Sequence, residues 1–172
     1  LPFSGELYIE REDFREEANR KFFRLKLGGE VRLKNAYIIK AESVKKDTAG
    51  NILEIHCTYD DLSRSGSGTE ESQRKVKGTL HWVSAAHGLP ARVRLYNHLF
   101  SRENPNDVEP DKSFTDYISP DSLEELCDCR VEPHLATADP ATPVQFERLG
   151  YFVADARDSR PDHLVFNRTA TL

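Results

Sequence analysis

Residues 30–40 read Glu-Val-Arg-Leu-Lys-Asn-Ala-Tyr-Ile-Ile-Lys, and this stretch decides the fold class because its side chains follow a period of two. A period of two is typical of a β-strand that buries one face against a core. Residues 51–59 continue the pattern, and the turn-forming residues 46–50 join the two segments. The sequence therefore predicts two consecutive strands joined by a turn.

The same pattern recurs toward the C-terminus, in short segments separated by turn residues. Further strands are predicted over residues 75–83, 90–96, 128–131, 143–153 and 163–169. Polar loops are predicted over residues 61–74 and 101–113, and a short helical turn over 119–126. Many short strands of this kind are typical of barrels or sandwiches, so we predict a mainly β fold with two small β-barrels.

One segment near the N-terminus departs from this pattern. Asp13 followed by Glu16 has the spacing of a capping box, and Gly28-Gly29 provides a stop signal. Apolar side chains between them recur at helical spacing in one buried stripe: Phe14, Ala18, Phe22 and Leu25. The sequence therefore predicts one short N-terminal helix over residues 13–24.

The composition is that of a soluble globular protein, with 38% hydrophobic residues, 31% charged residues and a net charge of −5. No apolar run has membrane-spanning length and no signal peptide is visible, so a cytoplasmic location without a membrane partner is expected. The sequence opens without Met on a strand-like segment, which indicates a fragment of a longer chain. Residues 11–46 hold 11 Lys or Arg against 6 Asp or Glu, whereas the remainder holds 13 against 23. This asymmetry predicts a local basic face on an acidic body.

Residue patterns for catalysis or metal binding are missing. The pair Cys127 and Cys129 has only His134 nearby, which is too few ligands for a zinc site. Ser84 near His87 lacks the Gly-x-Ser-x-Gly pattern that exposes a hydrolase nucleophile. We therefore predict no catalytic residue, no metal and no cofactor in this chain.

Four blocks of sequence, in a fixed order, carry a family resemblance. They are residues 12–37, beginning Glu-Asp-Phe-Arg-Glu-Glu-Ala-Asn; residues 75–96, beginning Lys-Val-Lys-Gly-Thr-Leu-His-Trp; residues 145–152, Gln-Phe-Glu-Arg-Leu-Gly-Tyr-Phe; and residues 165–169, Val-Phe-Asn-Arg-Thr. Together these blocks closely resemble the anticodon-binding region of bacterial glutaminyl-tRNA synthetases. The match covers nearly the whole chain and fails mainly in the loops at 61–74 and 101–142.

The resemblance implies two β-barrels that hold a tRNA anticodon loop. It assigns residues 1–98 to part of a proximal barrel, which also receives the terminal strand, and residues 99–172 to a distal barrel. It also implies a parent ligase that joins glutamine to its tRNA with ATP and Mg²⁺ on an upstream Rossmann domain. The ATP-site motifs of that domain, His-x-Gly-His and Lys-Met-Ser-Lys-Ser, do not occur in this sequence.

The resemblance also assigns the residues that read the anticodon. Arg24 resembles the arginine that contacts the third base, Arg32 and Lys34 the basic pair at the first, and Gln145 and Arg148 the pair at the middle base. Lys21 joins them as the neighbour of Arg24 on the predicted helix, in place of a family glutamine, and Lys34 stands in place of an arginine. Their chemistry fits, because Arg and Gln offer donors and acceptors that match the Watson–Crick edges of unpaired bases.

Gln145 and Arg148 are three residues apart, so in a regular strand they would face opposite sides. We therefore expect a bend or bulge between them if both approach one base.

Three alternatives to this interpretation remain at the level of sequence. The first is the same region of an archaeal or eukaryotic-type glutamyl-tRNA synthetase, which shares these barrels. The second is a stand-alone β-barrel RNA-binding protein, and the third is a protein-interaction barrel with no salt-sensitive RNA binding. Under the main interpretation the partners are the glutamine tRNA and the parent catalytic domain, and the protein is expected to be a monomer.

Overall fold

The computed structural model of the chain describes residues 2–172, and their contacts divide into two compact units. The first unit ends at Ala86, and the second covers His87–Leu172. Strands hold 40% of the residues and helices 11%, which confirms the predicted mainly β fold class.

The first unit is built from short strands around one four-stranded sheet. Its described elements are β1 (Leu7–Tyr8), β2 (Phe14–Arg15), β3 (Leu25–Lys26), β4 (Glu30–Leu33), β5 (Ile38–Lys46), β6 (Ile52–Asp60), α1 (Glu70–Gln73), β7 (Thr79–Leu80) and β8 (Val83–Ser84). The main sheet has the order β6-β5-β4-β7, with β7 parallel to β4. The strand pairs β1-β8 and β2-β3 complete the unit.

The second unit contains one five-stranded sheet. Its strands are β9 (Leu89–Tyr96), β10 (Leu123–Val131), β11 (Val144–Phe146), β12 (Gly150–Ala154) and β13 (Leu164–Ala170), in the sheet order β10-β9-β13-β12-β11. Neighbouring strands are antiparallel except β13 and β9, which are parallel. Two 3-10 helices, Phe114–Tyr117 and Pro133–Thr137, lie in the connections before and after β10.

Each unit has its own hydrophobic core, formed by the apolar side of these strands. In the first unit Val31 and Leu33 of β4 are fully buried, while Arg32 between them is only half-buried. This is the alternation that a strand with one face on a core produces. In the second unit Phe166 of β13 is fully buried and belongs to the same core as Phe152 and Val93.

The predicted N-terminal helix over residues 13–24 is wrong. The structure has a 3-10 helix at Arg11–Asp13, after which Phe14–Arg15 runs extended and pairs in parallel with Leu25–Lys26. Phe14 and Leu25 both enter the core of the first unit. Burial of both residues, one at each end of the segment, outweighs a local helix signal whose propensity terms are small.

The predicted helical turn over residues 119–126 is also wrong beyond its first residues. The Ser122 N–H donates to the Ser119 carbonyl oxygen, and the chain then enters β10 at Leu123. There Leu123 pairs with Tyr96 of β9. Pairing with β9 therefore decides the conformation of a segment that was predicted to be helical.

The boundary between the units differs from the predicted one after residue 98. Strand β9, which the sequence analysis placed in the first barrel, pairs with β10 and β13 of the second unit. The terminal strand β13 pairs with β9 and β12, so its described partners also belong to the second unit. The pairings within residues 2–172 close neither sheet, and two closed barrels therefore stay a prediction.

Candidate RNA-contact residues in the two units

The first group of predicted contact residues lies around the turn between β4 and β5. The Ala36 N–H donates to the Leu33 carbonyl oxygen at 2.9 Å, which closes a turn with Lys34 and Asn35 at its centre. Asn35 has φ of 57°, the left-handed region that Asn tolerates better than most residues. Lys34 is thereby carried at an exposed position just after β4.

The backbone of Lys34 is fixed by two hydrogen bonds. Its N–H donates to the Leu80 carbonyl oxygen at 2.8 Å, and its carbonyl oxygen accepts from the indole Nε1–H of Trp82 at 3.0 Å. Trp82 is buried in the core of the first unit. Sequence reasoning missed its second role, because nothing in the sequence shows which carbonyl faces the indole.

Arg32 is engaged within the protein. Its Nη1 donates to the Ser63 carbonyl oxygen at 2.7 Å and to Ser65 Oγ at 3.3 Å. Its Nη2 donates to the carbonyl oxygens of Ser72 at 3.0 Å and Arg74 at 3.2 Å. The guanidinium therefore ties the polar loop at 61–74 to β4.

This polar loop is also more ordered than its composition predicts. It contains a 3-10 helix at Asp61–Ser63 and the helix α1, whose N-cap Thr69 accepts a hydrogen bond from the Ser72 N–H.

Arg24 forms an ion pair with an acidic residue of the N-terminal 3-10 helix. Its Nη1 lies 3.1 Å from Oδ1 of Asp13, whose side chain is only 1% exposed. Lys21, three residues earlier, is exposed, and its backbone N–H donates to Asn19 Oδ1 at 2.9 Å. Within the described residues Lys21 has no ion pair, so of the two cations it is the one whose charge is open to solvent.

Gly78 brings the segment of Arg24 next to the strand of Arg32. Its carbonyl oxygen accepts from the Arg32 N–H at 3.0 Å. A Cβ built on Gly78 would lie 2.3 Å from the carbonyl oxygen of Phe23. The backbone at Gly78 thus lies between two predicted contact segments, in a space that is too narrow for any residue with a Cβ. Its φ of 142° is also unfavourable for residues other than glycine.

The second group lies in the hairpin between β11 and β12. Gln145 pairs with Tyr151 across this hairpin, and the Leu149 N–H donates to the Phe146 carbonyl oxygen at 2.9 Å. Arg148 is the third residue of that turn and has φ of 65°, the positive value that a type II turn requires there. The turn begins directly after Gln145 and includes Arg148, so the two residues do not share one regular strand, and their contact with one base stays a prediction.

The predicted basic face at residues 11–46 is partly neutralised. Ion pairs with acidic side chains include those of Arg24 with Asp13, Lys40 with Glu42, Lys45 with Glu54, and Lys46 with Glu16. Lys21 and Lys34 are both exposed. Lys21, which forms no ion pair within residues 2–172, is therefore the best placed of the predicted set in the first unit for an anionic ligand.

Residues 2–172 contain neither a candidate metal cluster nor a candidate membrane-spanning helix. No group of three or more His, Cys, Asp or Glu side chains is arranged to hold a metal ion in this part of the chain. None of the described helices has the length and apolar composition needed to cross a membrane.

Cations and an amide carried on turns and edges of small β units are typical of modules that bind single-stranded RNA. The comparison with protein families makes this class specific. The chain belongs to the family described as class I tRNA synthetases (E and Q), anticodon-binding domain. Two models of this family match the chain, one over residues 1–60 and the other over residues 79–155.

Curated relatives match over all 172 residues and are named glutamine–tRNA ligase. The protein of Rhodopirellula baltica is 54% identical and that of Vibrio parahaemolyticus 53%, and the chain covers 28% and 30% of these proteins. The protein of Ectopseudomonas mendocina is 52% identical, again with 30% covered. The chain thus spans less than a third of the length of these relatives. Their names favour the glutamine over the glutamate alternative, and they confirm the family that the sequence blocks resemble.

Proposed function

We propose that this chain reads the anticodon loop of a glutamine tRNA for a glutamine–tRNA ligase. The family assignment and the names of the relatives support this proposal. The proposal rests above all on Gly78, whose backbone contacts Phe23 on one side and Arg32 on the other. This junction at Gly78 sets the segment of Lys21 and Arg24 beside the strand that leads to Lys34. Two predicted contact segments thereby lie side by side in the first unit.

The two units contribute different chemistry to this proposal. In the first unit Lys21, Arg24 and Lys34 supply positive charge, while Arg32 holds the adjoining loop through its Nη atoms and keeps only Nε–H for RNA. In the second unit Gln145 and Arg148 supply paired donors and acceptors at the β11–β12 turn. An unpaired base exposes its Watson–Crick edge to such groups, and a good two-point contact is worth about 1–3 kcal/mol.

The remaining properties of the parent protein follow from the same proposal. Glutaminylation would use ATP and Mg²⁺ at a catalytic domain that the described residues do not include. A monomer in the cytoplasm is the expected state, and the two units correspond to the proximal and distal anticodon-binding domains.

The test is a filter-binding titration of the 172-residue chain with a stem-loop RNA that carries the anticodon of glutamine tRNA. Three further stem-loops each carry one altered anticodon base, and a fifth carries the anticodon of glutamate tRNA. We expect each altered base to weaken binding by roughly tenfold, since a mismatched contact costs about 1–3 kcal/mol. Equal affinity for all five RNAs would overturn the proposal, and preference for the fifth would favour the glutamyl alternative.

A pair of substitutions in the first unit separates charge from structure. Lys21→Ala should weaken stem-loop binding without lowering the free energy of unfolding, because Lys21 is exposed and has no ion pair within the described residues. Arg24→Ala should weaken binding and also destabilise the fold by roughly 1–3 kcal/mol, because it strips a partner from the buried Asp13 carboxylate.

Urea titrations measure the stability of both variants, and filter binding measures their affinity. Wild-type affinity in both variants would remove Lys21 and Arg24 from the RNA surface.

A further inference from the structure

Phe23 is an exposed aromatic ring in the middle of the predicted contact segment. Its side chain is 54% exposed, although the residue belongs to the most apolar class. The adjacent Phe22 is half-buried, and the guanidinium of Arg15 lies 4.9 Å from the centroid of its ring. Of two consecutive phenylalanines, therefore, one is largely covered by the protein and the other is presented to solvent.

Positive charge surrounds the exposed ring. The Lys77 ammonium lies over the Phe23 ring, 5.9 Å from its centroid, at the outer limit of a cation–π contact. Lys21 is exposed two residues before Phe23, and the partly exposed Arg24 follows it directly. An apolar protein partner gains nothing from these charges, whereas a nucleotide presents an aromatic base and an anionic phosphate together.

The backbone that carries the ring is held in place at the carbonyl group of Phe23 and at the residue that follows it. The carbonyl group of Phe23 packs against Gly78, so closely that no Cβ fits between them. The next residue, Arg24, is held by its ion pair with the buried Asp13. A ring on a fixed backbone loses less conformational entropy on binding than one on a free loop, which favours stacking.

We propose that Phe23 is a stacking platform for an unpaired base of the bound tRNA loop. The inference rests on the proposed function and adds to it a contact that recognises the face of a base, not its edge. Stacking on an aromatic side chain tolerates any base, because every base has a π-face. Phe23 therefore contributes affinity and orientation, while the neighbouring polar groups contribute sequence preference.

The experiment uses the 172-residue chain and the glutamine anticodon stem-loop, with 2-aminopurine placed in turn at each loop position. Stacking quenches the fluorescence of this base analogue, so one position should darken when the wild-type chain binds. Phe23→Leu keeps apolar bulk but removes the π-face, and Phe23→Trp keeps a π-face. We expect Phe23→Leu to bind roughly tenfold more weakly and to lose the quenching, and Phe23→Trp to retain both.

Leu53→Ala is the matched control, because Leu53 is a similarly exposed apolar side chain of the same unit, 59% exposed on β6. It should bind like the wild type. Phe23→Leu should also leave the salt dependence of binding unchanged, whereas Lys21→Ala should reduce its log–log slope by about 0.7–0.9, the value of one lost phosphate contact.

The outcomes separate the platform from the proposed function. If the wild type fails to bind the stem-loop, the proposed function and the platform are both overturned. If the wild type binds and Phe23→Leu retains affinity and quenching, the platform alone is overturned. If Phe23→Leu weakens binding but no loop position is quenched in the wild type, the ring contacts something other than a base and the platform is likewise overturned.

Discussion

For Arg32 the sequence predicts the chemistry of the side chain, but only the structure shows its hydrogen-bond partners. The resemblance assigns its guanidinium to the first anticodon base, and the positive charge suits that role. In the structure, four of its N–H groups already donate to Ser63, Ser65, Ser72 and Arg74. These partners lie 31 to 42 residues further along the chain, and no local pattern specifies which carbonyl oxygens will turn toward a given strand.

The first prediction concerns this tether. Arg32→Ala leaves the carbonyl oxygens of the loop without their donor, and Ser63 is a buried residue, so the local structure should loosen. Arg64 is exposed within the loop and provides a trypsin site there. We expect faster cleavage after Arg64 in Arg32→Ala, measured by mass spectrometry of timed digests.

Arg32→Lys should cleave at an intermediate rate, since an ammonium cannot reproduce the fork of a guanidinium. Arg20→Ala, at an exposed arginine of the same unit, is the control and should match the wild type at Arg64. Identical cleavage rates after Arg64 in Arg32→Ala and in the control would show that the loop does not depend on Arg32.

At the scale of elements, several strands were predicted closely, whereas the predicted strands over 30–40 and 143–153 are wrong, because each contains a turn between two strands, β4 and β5 in the first and β11 and β12 in the second. Residues 51–59, 90–96 and 163–169 correspond to β6, β9 and β13 to within one residue at each end. The failure at residues 13–24 has a physical cause. The apolar residues of this segment have the spacing of a helical stripe. In the structure, however, Phe14 and Leu25 belong to two neighbouring parallel strands, a pairing that helix periodicity cannot reveal.

The second prediction concerns Gly78, whose backbone lies between the segment of Phe23 and strand β4. Gly78→Ala would place a Cβ against the Phe23 carbonyl oxygen at a backbone conformation that alanine avoids. We expect the free energy of unfolding to fall by more than about 1 kcal/mol, measured by urea titration. Stem-loop binding should weaken as well, because the junction holds the segment of Lys21, Phe23 and Arg24 beside β4.

Gly5→Ala is the matched control for this substitution. A Cβ at Gly5 meets nothing within 4 Å and its φ is not positive, so its stability and affinity should be unchanged. Equal stability of the two alanine variants would mean that the backbone around Gly78 makes room for a Cβ without loss of unfolding free energy.

At the scale of the whole molecule, the net charge of −5 conceals an uneven distribution of charged residues, and this distribution bears on RNA binding. The sequence correctly located an excess of cations in residues 11–46, but it could not show which of them are paired. Ion pairs to Asp13, Glu42, Glu54 and Glu16 reduce the field of that segment. The surface available to RNA is therefore smaller than the count of Lys and Arg indicates.

The second unit contains an ionic cluster that sequence reasoning did not find. Arg94 of β9 contacts Glu125 of β10 at 2.9 Å, Asp155 at 3.3 Å and Asp158 at 2.8 Å. One guanidinium thus joins two strands and the connection between β12 and β13. A hydrogen bond from Asn167, backbone N–H groups of Asp158 and Arg157, and the charge of Arg94 lower the pKa of Asp155 to about 2.

The lowered pKa of Asp155 predicts how stability depends on pH. In the unfolded chain this carboxyl has its ordinary pKa of 3.8, so the folded state favours its ionised form. A depressed pKa stabilises the fold above the unfolded value, by about 2 kcal/mol for a difference of this size. That contribution is lost as the pH falls from about 4 through 2, where the folded carboxylate takes up a proton.

Asp155→Asn removes this titration and is the third prediction. At pH 7 the variant should unfold at lower urea concentration than the wild type, because its amide has one acceptor oxygen where the carboxylate uses two. The difference in unfolding free energy should narrow between pH 4 and pH 2.5, as the wild type loses what the variant never had. Asp162→Asn serves as the control, since Asp162 is an exposed carboxylate of the same unit. A gap between wild type and Asp155→Asn that stays constant over this range would show that the cluster acts through packing and not through the charge of Asp155.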